Sequence, residues 1–167
     1  MRLVVRFSLI FLGYVLLFSI LLRIDEVLLH GAISGALSRG VALAAVFCLK
    51  LFGAEAAVSG STILYGSHGF SIVPECTGIE VIGLYVAAVL AFPARWKSRL
   101  RGLALGVPAL AALNGIRVLT LVYAGSRSQK ALDYGHLYFW PVIVLGATVA
   151  LWLTWAQNAA RHEGRLA

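Results

Sequence analysis

Residues 103–123 read LALGVPALAALNGIRVLTLVY, an apolar segment that carries Asn114 and Arg117 in its second half. Its length suffices for a membrane span, which needs about 20 apolar residues. An arginine at such depth is costly unless it pairs or faces water, so it marks a functional position by default. Asn114, three residues earlier, shares its helical face. Together they can present donors to a carbonyl oxygen that turns negative during acyl transfer. The competing reading has Arg117 snorkelling outward to lipid phosphates.

Four other segments, 3–22, 32–52, 77–92 and 137–155, are apolar over similar lengths. The chain is 60% hydrophobic and 13% charged, with a mean hydropathy of +0.90; soluble domains run at about 45–50% and about 25%. These figures predict an all-α integral membrane helical bundle of about five transmembrane helices, one domain over residues 1–167. Segment 77–92 is short and is closed by Pro93. Segment 32–52 carries Arg39, and part of 25–39 is a candidate for the membrane interface. Arg2 and Arg6 ahead of 7–22 resemble the start of a signal peptide. No small-residue cleavage site follows, and the run leads into Arg23-Ile24-Asp25-Glu26, so a retained first span is expected.

The net charge is +7, and its placement points to a membrane rather than to nucleic acid. Arg95, Lys97, Arg99 and Arg101 crowd one short link, and Arg161 and Arg165 fall in the tail, the pattern of positive-inside loops. No basic face with interleaved aromatics accompanies them, so nucleic acid is excluded as a partner. With 94–101 cytoplasmic, the stretch before Cys76 and the stretch 124–135 both face outward. Five spans would then leave the N-terminus outside, against the pull of Arg2 and Arg6. Either that pull is overridden or 24–39 is not a simple span.

Between Ala54 and Pro74 the pattern turns β-prone. Runs 62–65 and 70–73 flank Gly66-Ser67-His68-Gly69, which predicts a short β-hairpin with a four-residue loop on the outer face. It lies just before Cys76, where a substrate strand could be held alongside it.

Cys76 follows as Val73-Pro74-Glu75-Cys76-Thr77-Gly78-Ile79-Glu80. Pro74 disfavours helix before it. Thr77-Gly78-Ile79-Glu80 has the form of a capping box, with Thr77 as N-cap and Glu80 as its partner. Cys76 would then stand just ahead of a helix start, where the positive end of the macrodipole favours a thiolate. The plain alternative is a buried cysteine at a helix boundary. Cys48 lies inside an apolar run and packs as a small hydrophobe. A disulfide between the two is not expected, and no ligand cluster implies a metal or an organic cofactor.

His136 opens the last apolar segment as Gly135-His136-Leu137-Tyr138-Phe139-Trp140. It serves equally as part of an interfacial aromatic belt or as a general base near neutral pH. His68 is expected on the hairpin tip, in solvent. Antiparallel spans joined by short loops tend to be neighbours, so Cys76, Arg117 and His136 should converge on one membrane face. A thiol, an oxyanion donor and a base are the parts of acyl transfer through a thioester.

With Glu75-Cys76-Thr77-Gly78, Asn114-Gly115-Ile116-Arg117 and His136 in that order, the chain resembles the exosortase/archaeosortase family of membrane cysteine transpeptidases. The stretches 91–96 and 136–140 are similar to small single-domain members such as exosortase H. The resemblance covers about residues 53–155. It implies catalytic Cys76, Arg117 and His136, supported by Asn114, Thr77 and Glu80. It also implies exported substrates with a C-terminal motif, a transmembrane helix and a basic tail, and a bacterial cytoplasmic membrane with the active site outward. Two other classes compete. One is a non-catalytic assembly factor in which Arg117 and His136 bind lipid or a partner. The other is a thiol redox protein, disfavoured because no Cys-x-x-Cys pair exists.

Overall fold

A computed structural model describes residues 2–164; Arg165 lies outside them, as do the side chains of Arg2 and His162. Without water, backbone N–H and C=O groups must be satisfied within the segment, and the apolar runs accordingly fold as helices. They are α1 (Arg2–Leu28), α2 (Ala32–Leu51), α3 (Ile79–Ala91), α4 (Trp96–Arg127), α5 (Gln129–Tyr134) and α6 (Trp140–Gly164). A 3-10 turn, Pro74–Cys76, precedes α3, and a π-helical turn, Gly135–Phe139, joins α5 to α6. Val4–Leu28, Ala32–Leu51, Trp96–Arg127 and Gln129–Arg161 are each long and apolar enough to cross a membrane. α3 is apolar but has only 13 residues, about 20 Å of helix. The protein is a multi-pass membrane helical bundle.

Side-chain contacts fix the direction of each helix. Phe7 near the start of α1 meets Phe92 edge to face at 6.4 Å, beside the corner between α3 and α4. Further along, Phe18 lies against Gly83, so α1 runs antiparallel to α3 and ends near Cys76. There Asp25, 3% exposed, accepts the N–H groups of Ile33 and Ser34 at 2.9 Å each, and the Ser34 hydroxyl donates to it as well. This carboxylate pins the start of α2 across a tight turn in which His30 and Gly31 are left-handed.

α2 has the length of a span, about 30 Å, yet only residues 52–55 separate it from β1. Four residues reach about 14 Å, so both ends of α2 attach to the end of the bundle that carries Cys76. Its buried residues Ala42, Ala45 and Val46 cover the last turns of α4 and the sheet. The stretch 24–39 is therefore not a simple span: it ends α1, turns and enters this covering helix. The start of α1, the α3–α4 corner and the end of α6 consequently share the opposite end, where Trp155 Nε1 donates to Ser98 O at 3.0 Å.

α3 and α4 approach closely through small residues, as membrane helices do. Gly106 leaves a groove on α4 that Tyr85 fills, Gly102 leaves one for the Trp155 indole of α6, and the buried Tyr85 hydroxyl donates to Gly102 O at 2.9 Å. The groove fixes the height of α3 beside α4 and thereby the height of Cys76.

The β-prone stretch forms three antiparallel strands, β1 (Ala56–Ser59), β2 (Thr62–Tyr65) and β3 (His68–Ser71), in the order β1-β2-β3. The predicted hairpin is present and enlarged by β1, and its loop is shorter than expected. Tyr65 pairs with His68, so His68 and Gly69 belong to β3 and the loop is Gly66-Ser67. Gly60 and Gly66 stand at φ 63 and 59, each the first central residue of a two-residue Gly-Ser turn that matches strand twist. Ile63 and Ile72 pack on Val118 and Val122 of α4. The Phe70 ring nests on Gly125, where an added Cβ would lie 2.5 Å from it.

Candidate active site

Pro74 opens the 3-10 turn that presents Cys76, and the N–H of Cys76 donates to Val73 O at 2.8 Å. The expected capping box does not form. Gly78, left-handed at φ 74, takes the N-cap place of α3. Glu80 therefore falls one position too early to be the capping partner. It is exposed on the α1 side, beside Phe18 and Leu22, away from Cys76. Thr77 holds the turn instead: its hydroxyl donates to Pro74 O at 2.6 Å and accepts from Ile79 N at 3.3 Å. The left-handed backbone at Gly78 favours glycine, which has no Cβ to strain there. A Cβ on Gly78 would also lie 2.8 Å from Asn114 Cγ.

Asn114 is 4% exposed on α4. Its Nδ2 donates to the Cys76 carbonyl at 2.9 Å, and its Oδ1 lies 3.5 Å from Arg117 Nη1. One amide donor is thus committed to the main chain of the cysteine, and Asn114 aligns Arg117 rather than standing beside it as a second free donor. Because α4 runs on to Arg127, Arg117 sits about three turns inside its helix. Arg117 Nε is buried and, among the described residues, has no hydrogen-bond partner.

His136 occupies the π-helical turn rather than the first turn of a regular span. Such turns are rare and recur at functional sites; here Pro141 follows shortly and has no N–H to donate back to the Leu137 carbonyl. The turn directs His136 at the cysteine, with Nε2 3.7 Å from Cys76 Sγ. Both cysteines are free.

Cys76, Arg117 and His136 line one cavity of about 520 Å³, enclosed by β3, the last turns of α4, and α5 with its π turn. The volume is that of an ordinary ligand pocket. Val118, Leu121, Val122 and Leu132 make its walls apolar, a setting in which a guanidinium acts strongly on charge developing nearby. The positive end of the α3 dipole adds to that field. Cys76 is recessed: Asn114, level with it, lies about 20 Å along α4 from Arg127.

Four polar residues at this cavity were not assigned to the site from the sequence, among them Ser71 of β3. His68 is exposed but lines the cavity, and Gln129 and Asp133 line it from α5, with Gln129 Nε2 donating to Asp133 Oδ1 at 2.9 Å. Their i, i+4 spacing in 124–135 was the available signal.

No curated protein and no solved structure matches the chain. The family model described as transmembrane exosortase (Exosortase_EpsH) matches residues 4–153, reaching well beyond the 53–155 core of the resemblance. The chain therefore belongs to the transmembrane exosortase family of membrane protein-sorting transpeptidases.

Proposed function

We propose that the protein cleaves exported proteins at a C-terminal sorting signal and passes them to an acceptor through a thioester on Cys76. The observation that carries this reading is the 3.7 Å approach of Cys76 Sγ and His136 Nε2 in a cavity that also holds Arg117.

His136 Nε2 takes the thiol proton, and the thiolate adds to the scissile carbonyl carbon. Arg117 stabilises the resulting oxyanion; its fork of donors and the unpartnered Nε suit that task. Collapse breaks the C–N bond, and the departing amine of the tail takes the proton from His136. The acceptor, an amine or another nucleophile, then loses a proton to His136 and attacks the thioester. Cys76 leaves as thiolate and recovers the proton. Asn114 and Thr77 position Cys76 by holding its carbonyl and its turn.

The substrate is an exported protein ending in a short motif, a transmembrane helix and a basic tail, and the enzyme resides in a bacterial cytoplasmic membrane. The Cys76 end faces outward in this reading. Arg6, Arg99 and Arg101 all gather at the opposite end, in keeping with the positive-inside rule.

The test is co-expression with a secreted protein of that design, following its tail by mass with wild type and with Cys76→Ala. Tail loss with wild type alone is the expected result, and the added mass names the acceptor. A Cys76→Ala chain that still restores function to a deletion strain would remove the catalytic role and favour an assembly factor.

A further inference from the structure

β3 is the end strand of its sheet, and among the described residues its outer edge carries no partner strand. In a two-residue hairpin Tyr65 and His68 form a hydrogen-bonded pair, and bonded and non-bonded pairs then alternate. Phe70 accordingly turns its N–H and C=O toward β2, and Ile72 N continues this by donating to Ser61 O at 3.0 Å. Gly69 and Ser71 turn theirs the other way, to the free edge. Both residues line the cavity that holds Cys76. Opposite them stand Leu121 and Leu132, with His68 toward the hairpin tip.

We propose that this edge of β3 receives the substrate as a fourth strand, formed by the residues immediately before the scissile bond. The inference rests on Cys76 being the nucleophile, as read above. An open edge is a template for an extended peptide, with main-chain bonds giving affinity and alternate side chains giving specificity. Gly69 and Ser71 offer two N–H and two C=O groups to the incoming chain.

Direction follows from the path of the chain. β3 leads through Val73 and the 3-10 turn to Cys76, at the top of α3. A substrate whose next segment enters the membrane beside α3 must approach Cys76 along β3 in the same sense. The added strand is therefore parallel to β3; an antiparallel strand would carry the downstream helix back out of the membrane. Side chains alternate across a strand, so every second substrate residue meets the apolar wall of Leu121 and Leu132, and the residues between them face the opposite side of the sheet.

Ser71→Pro removes an edge-facing N–H without touching the ladder to β2, the position at which strands tolerate proline. With the tailed reporter described above, Ser71→Pro is expected to slow processing about tenfold, the order of one or two lost hydrogen bonds. Maleimide labelling of Cys76 checks that the site is intact in this variant. Processing by Ser71→Pro at the wild-type rate, with Cys76→Ala inactive, would overturn strand pairing and leave the catalytic reading standing. Loss of processing in no variant, Cys76→Ala included, would remove both.

A second measurement is independent of how the variants fold. Proline is placed singly at each of the four reporter residues before the cleaved bond, with wild-type enzyme. Strand pairing predicts losses that alternate with period two, because only alternate N–H groups face β3. Uniform loss, or none, overturns it.

Discussion

Asn114 Nδ2 donates to the main-chain carbonyl of Cys76 at 2.9 Å, so the residue that presents the thiol is tied directly to the helix that carries Arg117. The bond spans 38 positions of sequence and sets the height of the thiol against the guanidinium. A buried carbonyl deprived of its donor loses about 1–3 kcal/mol. Asn114→Ala is therefore expected to lower the melting temperature in detergent and to cut processing together. Asn114→Asp should be worse, since it sets a carboxylate against a carbonyl. A variant with wild-type melting and wild-type turnover would show that the bond does not position Cys76.

Arg117→Lys keeps the charge and loses the planar fork. Removal of one oxyanion donor typically costs about 100- to 1000-fold in turnover, and an ammonium cannot replace the bidentate geometry. A loss of about 100-fold is expected, with maleimide labelling of Cys76 preserved. Turnover within a few-fold of wild type would remove the oxyanion role.

Gly78 and Gly115 provide a paired test on neighbouring helices. Gly78 is left-handed, and an added Cβ would lie 2.8 Å from Asn114 Cγ, whereas Gly115 has nothing within 4 Å. Gly78→Ala is expected to destabilise by more than the ~1–2 kcal/mol of the left-handed backbone alone. Gly115→Ala should be neutral or slightly stabilising, as glycine is a poor helix former. Equal melting temperatures for the two variants would contradict the packing at Gly78.

Tyr85→Phe removes the hydroxyl that donates to Gly102 O at 2.9 Å and leaves the ring in the groove. The expected cost is about 0.5–1.5 kcal/mol in stability, with the rate of processing per folded enzyme unchanged. A fall in that rate at constant stability would mean that the α3–α4 groove acts on the site directly.

The path of the helices predicts the placement of fusions. The start of α1 and the end of α6 lie at the arginine-rich end, and the Gly66-Ser67 turn lies at the other. Reporters fused to either terminus are expected to be active in the cytoplasm, and one inserted at Gly66-Ser67 outside it. Termini that report from opposite sides would contradict this path.

Hydropathy located the helices, because an apolar run of about 20 residues has few other solutions. It measured length and not path, so 32–52 counted as a span by length while Arg39 and the charge balance left 24–39 open; the four-residue link to β1 is what returns α2 to the Cys76 end. β1 was missed because Ala56-Ala57-Val58-Ser59 is weakly β-prone, although the Gly-Ser turns at 60–61 and 66–67 flank β2 symmetrically. The convergence of Cys76, Arg117 and His136 on one cavity was legible from the alternation of spans. The role of Asn114 was not, since its partner is a backbone carbonyl, which leaves no mark in sequence. The capping box misled for a related reason: Gly78 meets Asn114 from another helix, and that contact overrides the local preference of Thr77 and Glu80.

α3, at 13 residues, places the thiol about 20 Å from the arginine-rich end, well short of the ~30 Å hydrocarbon core. In the proposed reading, a peptide tail held beside it as a helix would have to match that distance between its cleaved bond and its first basic residue. The helix would then act as a ruler: a tail with a longer apolar stretch, anchored by its charges, would hold its scissile bond above the thiol and escape cutting.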